Sequence, residues 1–291
     1  MNHLRIAIPA LAIVLAVGSN VRAADPPNEA HFHHVHLNVT DPEASISFYK
    51  KHLGAVEIQY RGKSDALFTE RSYILLNEVN EPPRSGPTTA LMHIGWAGVD
   101  GPNEYEWLKK EGLEFQTPAT PLGSNFYMYF FGPDRELIEI YTGAKNHRFE
   151  HMHIWASDPN VTAEWFLNNI GVQGSTQHRP KPEDINGRWA RSCRIDNVNF
   201  IIYAIPDKGS RRRPATMPDE LEPTKGHVID HLAFSYRDIK PVYDRMKDAG
   251  VEIVESITRK EDGHDSFFVM APDKLLIEIV EDKPVPEGSW E

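Results

Sequence analysis

One cysteine, Cys193, stands in a chain of 291 residues. It excludes an internal disulfide framework and any multi-cysteine zinc site. Positive charge is also scarce: 31 Lys and Arg face 42 Asp and Glu, a formal net charge of −11. An acidic chain repels a phosphate backbone, which argues against nucleic acid as a partner. No apolar run reaches the ~20 residues a membrane span requires. The longest, Ile6 to Val17, is interrupted by Pro9 and preceded by His3 and Arg5. Val21-Arg22-Ala23 follows it with small residues at −3 and −1, so residues 1–23 read as a cleaved export signal. The expected location is the periplasm or the exterior, with no stable membrane insertion after cleavage and stability drawn from packing rather than disulfides. What the chain does have is apolar material for a core, 40% against 25% charged, and 14 histidines.

The histidines fall on a repeat. His34-Val-His36-Leu-Asn-Val-Thr-Asp41-Pro42 aligns without gaps on His151-Met-His153-Ile-Trp-Ala-Ser-Asp158-Pro159, an offset of 117 that holds through Gly54 and Gly171. His93 to Asp100 aligns on His231 to Asp238 at an offset of 138, through Gly112 and Gly250. Each copy carries a His, an Asp seven residues on, and a later Gly: a duplication of a duplication. In the first copy His34 to Val39 alternates as a strand, and Asp41-Pro42-Glu43 caps and opens a helix. Ile46, Phe48, Tyr49 and Leu53 follow at helical spacing, and Gly54 ends it. Strands are expected at Val56–Tyr60, Ala66–Thr69 and Ser72–Asn77. The unit is βαβββ. Copies two and four close with a hairpin around Gly132-Pro133-Asp134-Arg135 and Ala271-Pro272-Asp273-Lys274, then Leu-Ile-Glu139-Ile-Tyr and Leu-Ile-Glu278-Ile-Val. Pro206 to Lys225, with Arg211-Arg212-Arg213, reads as a long exposed loop. The fold class is α+β, four modules paired into two domains at 32–145 and 149–283.

Two strand histidines and one strand glutamate per half are the donor set of a 2-His-1-carboxylate metal site, which leaves coordination positions for substrate. The first half offers His34, His93 and Glu139, the second His151, His231 and Glu278. If copies one and four share a site instead, the sets become His34/His231/Glu278 and His151/His93/Glu139. Fe(II), Mn(II), Zn(II) and Ni(II) all suit such donors. His36 and His153 lie two residues beyond a ligand, on the same strand face. They are candidates for proton transfer or for a supporting hydrogen bond. His264 is read as rim, and His33, His52, His147, His178 and His227 as solvated. Cys193 is a buried small residue, and Trp96, Trp155, Phe234 and Tyr203 are packing.

The run His-x-x-Leu-x-Val-x-Asp, then Phe-Tyr and Leu-Gly, with Pro-Asp and Ile-Glu closing alternate units, resembles the vicinal oxygen chelate superfamily. That superfamily includes glyoxalase I, fosfomycin-resistance transferases, bleomycin-resistance proteins and extradiol dioxygenases. The resemblance spans residues 32–282 and implies glyoxalase-like domains, each a cup around a metal that chelates vicinal oxygens of a small-molecule substrate. It assigns the same six residues as ligands. Glyoxalase I has a further glutamate late in its first module, and Ser72–Asn77 and Asn199–Ala204 hold no acid, though Glu78 lies just after the first. Extradiol enzymes place a tyrosine ten residues before the glutamate, where this chain has Tyr129 in one half and Phe268 in the other. The usual turn glycine is Arg135 or Lys274. The implied activity is metal-dependent and extradiol-like, or related lyase or transferase chemistry, with Tyr129, His36 and His153 managing protons. The other reading is non-catalytic sequestration of a small molecule, as in bleomycin-resistance proteins. The sequence leaves substrate and oligomeric state open.

Overall fold

The computed structural model describes residues 28–62, 64–178, 189–261 and 263–282; the expected export signal and the remaining residues lie outside them. Module one comprises β1 (His31–Val39), α1 (Pro42–Leu53), β2 (Val56–Tyr60), β3 (Ser64–Thr69) and β4 (Ser72–Glu78). Module two comprises β5 (Leu91–Gly98), α2 (Gly101–Lys110), β6 (Phe115–Leu122), β7 (Asn125–Phe131) and β8 (Leu137–Thr142). Module three runs through β9 (Arg148–Ala156), α3 (Pro159–Trp165) with a π turn at Phe166–Ile170, β10 (Gln173–His178), β11 (Ala190–Ile195) and β12 (Val198–Ala204). Module four has β13 (Ile229–Tyr236), α4 (Lys240–Asp248), β14 (Glu252–Arg259), β15 (Asp265–Ala271) and β16 (Leu275–Glu281). The capping chemistry is local. Asp41 accepts the Ala44 N–H at 3.0 Å, and Asp100 and Asp158 repeat the device on Asn103 and Asn160. Gly54 ends α1 at φ +68°, where a Cβ is strained.

The modules form two eight-stranded sheets that cut across the domains expected at 32–145 and 149–283 and follow the alternative pairing, in which copies one and four go together. The first sheet runs β14-β15-β16-β13-β1-β4-β3-β2 and joins modules one and four. The second runs β10-β11-β12-β9-β5-β8-β7-β6 and joins modules two and three. Sequence-adjacent modules one and two therefore share no sheet, nor do three and four. The connections account for this. Residues 143–147 are too few to carry module three far from module two, whereas residues 79–90 and 205–228 are long enough to cross between sheets. These two crossings meet in parallel bridges, Arg84 with His227 and Thr89 with Glu222. The segment 206–225 is accordingly less exposed than its composition suggests. Met217, Leu221 and Thr224 are buried, and the Arg213 guanidinium donates to the carbonyls of Pro206 and Pro218 at 2.8 and 2.5 Å.

Strand alternation divides the faces. Val35, Leu37 and Val39 turn to the core, while His34 and His36 turn the other way. Across the core Phe32 stacks on Phe149 at 5.5 Å, joining the two sheets, and within its own sheet it meets Phe234 edge-on at 5.7 Å. Two matching clamps fasten the sheets together. Asp134, in the β7–β8 turn, accepts from Thr40 N and Oγ1 at 3.0 and 2.7 Å. Asp273, in the β15–β16 turn, accepts from Ser157 N and Oγ at 3.1 and 2.5 Å.

Candidate metal centres

On the second sheet, β5, β8 and β9 lie side by side in the order β9-β5-β8. Registry places Gly95 between His151 and Glu139, and sets His93 opposite His153. Glu139 Oε2 is 2.8 Å from His93 Nε2, 3.1 Å from His151 Nε2 and 3.8 Å from His153 Nδ1. All four residues are buried, and their donor atoms lie within 4.8 Å of one another. Burial acts to raise the Glu139 carboxyl, but hydrogen bonds with His151 and His93 overcome it and hold the group well below the usual range. Burial likewise acts to lower His151, yet its contacts with Glu139 and Glu150 raise it to about 9. Tyr129 sits directly across the β7–β8 ladder from Glu139, its ring 5.1 Å from that of His93. Tyr203, read from sequence as packing, sets its ring edge-on to His153 at 5.1 Å and is only half-buried.

The first sheet repeats the layout with β1, β13 and β16. His34, Ala233 and Glu278 form one row, and His36 faces His231 in the next. Glu278 Oε2 lies 3.4 Å from His34 Nε2 and 3.5 Å from His231 Nε2, wider than in the second sheet. His34, His36 and His231 have donor nitrogens within 4.8 Å of one another. Burial first, then the neighbouring histidines, hold His34 well below its ordinary value, and burial with His231 lowers His36 to about 4. Against the effect of burial, contact with His231 takes Glu278 down to about 2. Phe268 stands where Tyr129 stands in the other sheet, its ring 5.2 Å from that of His231.

The six residues singled out in the sequence are thus gathered as His34/His231/Glu278 and His93/His151/Glu139. His36 and His153 join these groups rather than standing behind them. Both donor sets fit a divalent cation. His34 Nε2 and His231 Nε2 are buried without a hydrogen-bond partner and face one carboxylate oxygen, an arrangement costly to bury unless something binds there. Three histidines read as solvated are not: His33 is 1% exposed and His227 3%, and the His52 side chain is 9% exposed with both ring nitrogens buried. His178 lies in β10, its side chain outside the description. Cys193 is buried, its thiol pushed up to about 12 by burial, consistent with a small apolar filler. Among the described residues no helix is long and apolar enough to cross a membrane.

Paired βαβββ modules with an open two-histidine, one-carboxylate set on each sheet define a class of metal-site proteins built by module duplication. The chain matches the family model of the Glyoxalase/Bleomycin resistance protein/Dioxygenase superfamily over residues 31–140 and 148–279, and it belongs to that superfamily. It is 28% identical over 123 residues to the metallothiol transferase FosB of Staphylococcus epidermidis, covering 40% of this chain and 85% of that protein. The protein of the same name from Staphylococcus saprophyticus is 26% identical over 121 residues, 40% and 80% of the two chains. In fold it is similar to glyoxalase I from Zea mays, with a TM-score of 0.68 at 14% identity over 87% of this chain and 93% of that one. A putative dioxygenase from Bacillus subtilis gives 0.61 at 13% identity over 89% and 87%.

Proposed function

We propose that this chain is an exported, divalent-metal-dependent enzyme acting on a small molecule with vicinal oxygens, and that the second-sheet site is its working centre. The observation that carries the reading is Glu139 Oε2 in contact with the Nε2 atoms of both His93 and His151, buried, with Tyr129 across the ladder. His93, His151 and Glu139 would hold the metal, with His153 as a fourth donor or a proton carrier. Fe(II), Mn(II), Zn(II) or Ni(II) would supply Lewis-acid polarisation of the substrate oxygens when bound. The protein supplies the rest. Glu139 contributes the negative charge, the buried surroundings exclude water, and the Tyr129 phenol donates a hydrogen bond to a substrate oxygen. Similarity to proteins named metallothiol transferases favours group transfer or lyase chemistry. Extradiol ring cleavage is the finer alternative, and turnover of a catechol by Fe(II)-loaded protein would select it.

Phe268 and the longer contacts to Glu278 favour a second role for the first sheet: binding or structural support without turnover. Metal analysis of protein purified without chelators tests the whole reading. Bound metal lost from the second sheet in Glu139→Gln, with activity down at least ~100-fold, is the expected result. Absence of metal from the unmodified protein, with a small ligand bound and released unchanged, would establish sequestration instead. Export is tested by sequencing the mature N-terminus, expected after Ala23.

A further inference from the structure

Each candidate histidine ligand is preceded by a residue that breaks the strand register. In β1 the pairing passes from Phe32–Phe234 to His34–Ala233, so His33 is the extra residue. In β9 it passes from Phe149–Trp96 to His151–Gly95, which leaves Glu150 extra. In β13, Asp230 is extra between Ile229–Leu37 and His231–His36, and in β5 Met92 is extra between Leu91–Ile154 and His93–His153. A bulge turns a residue that would otherwise point away from the site so that it can meet its neighbour's side chain.

We propose that the bulged residues His33, Asp230 and Glu150 are positioning residues that fix the tautomer of the histidine after them, keeping the proton on Nδ1 and the lone pair on Nε2. The inference rests on the metal reading of the histidine sets. It is most complete at His34. Arg61 contacts Asp282 Oδ1 at 3.2 Å, which keeps that carboxylate an acceptor. Asp282 Oδ2 lies 3.0 Å from His33 Nε2, so His33 donates there, with the Tyr60 hydroxyl 3.5 Å away. His33 Nδ1 is then an acceptor, and His34 Nδ1, 2.7 Å from it, must be the donor. The lone pair on His34 is left at Nε2, the atom buried without a hydrogen-bond partner beside Glu278. At His231 the arrangement is direct: Asp230 Oδ1 lies 2.6 Å from Nδ1, and Nε2 again faces Glu278. At His151, Glu150 Oε1 stands 3.7 Å from Nδ1, an electrostatic contact rather than a hydrogen bond. Met92 offers no acceptor, so the device serves three of the four strands.

The proton positions are inferred from the hydrogen-bond network and can be read directly. Full-length protein labelled with 15N-histidine and stripped of metal is examined by long-range 1H–15N correlation. His34 is expected as the neutral tautomer protonated at Nδ1, and protonation at Nε2 would overturn the relay whether or not metal binds. Loaded with Zn(II), His231 and His151 are expected to bind through Nε2 with Nδ1 protonated; ligation through Nδ1 would refute their assignment. In a Glu139→Gln background, His33→Leu is expected to weaken Co(II) binding at the first sheet 10–100-fold. His33→Glu, which restores an acceptor of the kind β9 carries at this position, is expected to recover most of that loss. Unchanged affinity in His33→Leu, or no recovery in His33→Glu, would show that His33 only fills space.

Discussion

Between each carboxylate and its first histidine stands one residue whose size decides how closely they meet. A Cβ on Gly95 would lie 2.1 Å from the His151 ring, so that ring occupies the space a side chain would take. The aligned residue in the other sheet is Ala233, and there the carboxylate contacts lengthen to 3.4 and 3.5 Å. Gly95→Ala is therefore expected to push His151 away from Glu139 and to weaken Co(II) binding at the second sheet at least ~10-fold, while the first-sheet site is unaffected. Equal loss at both sites would point to general unfolding instead. Protons act at the same residue. His151, raised to about 9, carries a proton at pH 7, whereas Glu139 is already ionised. Metal takes neutral imidazole, so binding at pH 7 is expected to release about one proton, that on His151 Nε2, and to leave the Nδ1 proton in place. Apparent affinity then falls ~10-fold for each pH unit below about 9. Calorimetric titration in buffers of different ionisation heat measures that proton; a buffer-independent heat would contradict it.

Elements whose form depends on neighbouring residues in the chain were readable, and elements whose form depends on a partner strand were not. The turn joining β7 to β8 illustrates a locally coded element with a buried charge. Glu136 is 1% exposed, accepts a hydrogen bond from the Tyr49 hydroxyl at 2.7 Å, and is raised by burial from 4.5 to about 7. A carboxyl whose folded value is raised stabilises fully below its unfolded value, and that contribution is lost as pH rises through the folded one. Stability is thus expected to decline between pH 4.5 and about 7 by something on the order of 3 kcal/mol. Glu136→Gln should flatten this part of the stability-against-pH curve, measured by denaturant unfolding; an unaltered slope would assign it elsewhere. The Asp-Pro caps, the Gly54 stop and the alternation of His34 to Val39 are set within a few residues, and the sequence displays them. The bulges are not. A strict period of two places His33 on the face of Val35 and Leu37, away from His34; only registry against β13, where His33 is the extra residue, brings both into the site. His36 and His153 lie beyond the irregularity, so the period held and their face was legible.

At the scale of the molecule, composition and repeat define four modules but not which ones share a sheet, because either pairing uses the same six residues and the same apolar alternation. The path of the connections decides it, through residues 79–90 and 205–228 that cross and meet at Arg84–His227 and Thr89–Glu222. The Asp134–Thr40 and Asp273–Ser157 clamps then lock each module to its sequence neighbour in the opposite sheet. Neither half of the chain can complete a site by itself. Residues 28–146 supply His34 without His231 and Glu278, and His93 with Glu139 without His151. The same half leaves the β1 and β5 edges without β13 and β9, and unpaired central edges seek other chains. Expressed alone, this half is expected to self-associate or aggregate and to bind no Co(II) in the arrangement of the intact chain. Co-expression with residues 147–291 is expected to restore a one-to-one complex with both sites. Size-exclusion chromatography with Co(II) absorption distinguishes the outcomes. A monomeric, cooperatively folded half that binds Co(II) would mean that modules one and two can pair with each other, and would remove the exchange of modules between sheets as a requirement of the fold.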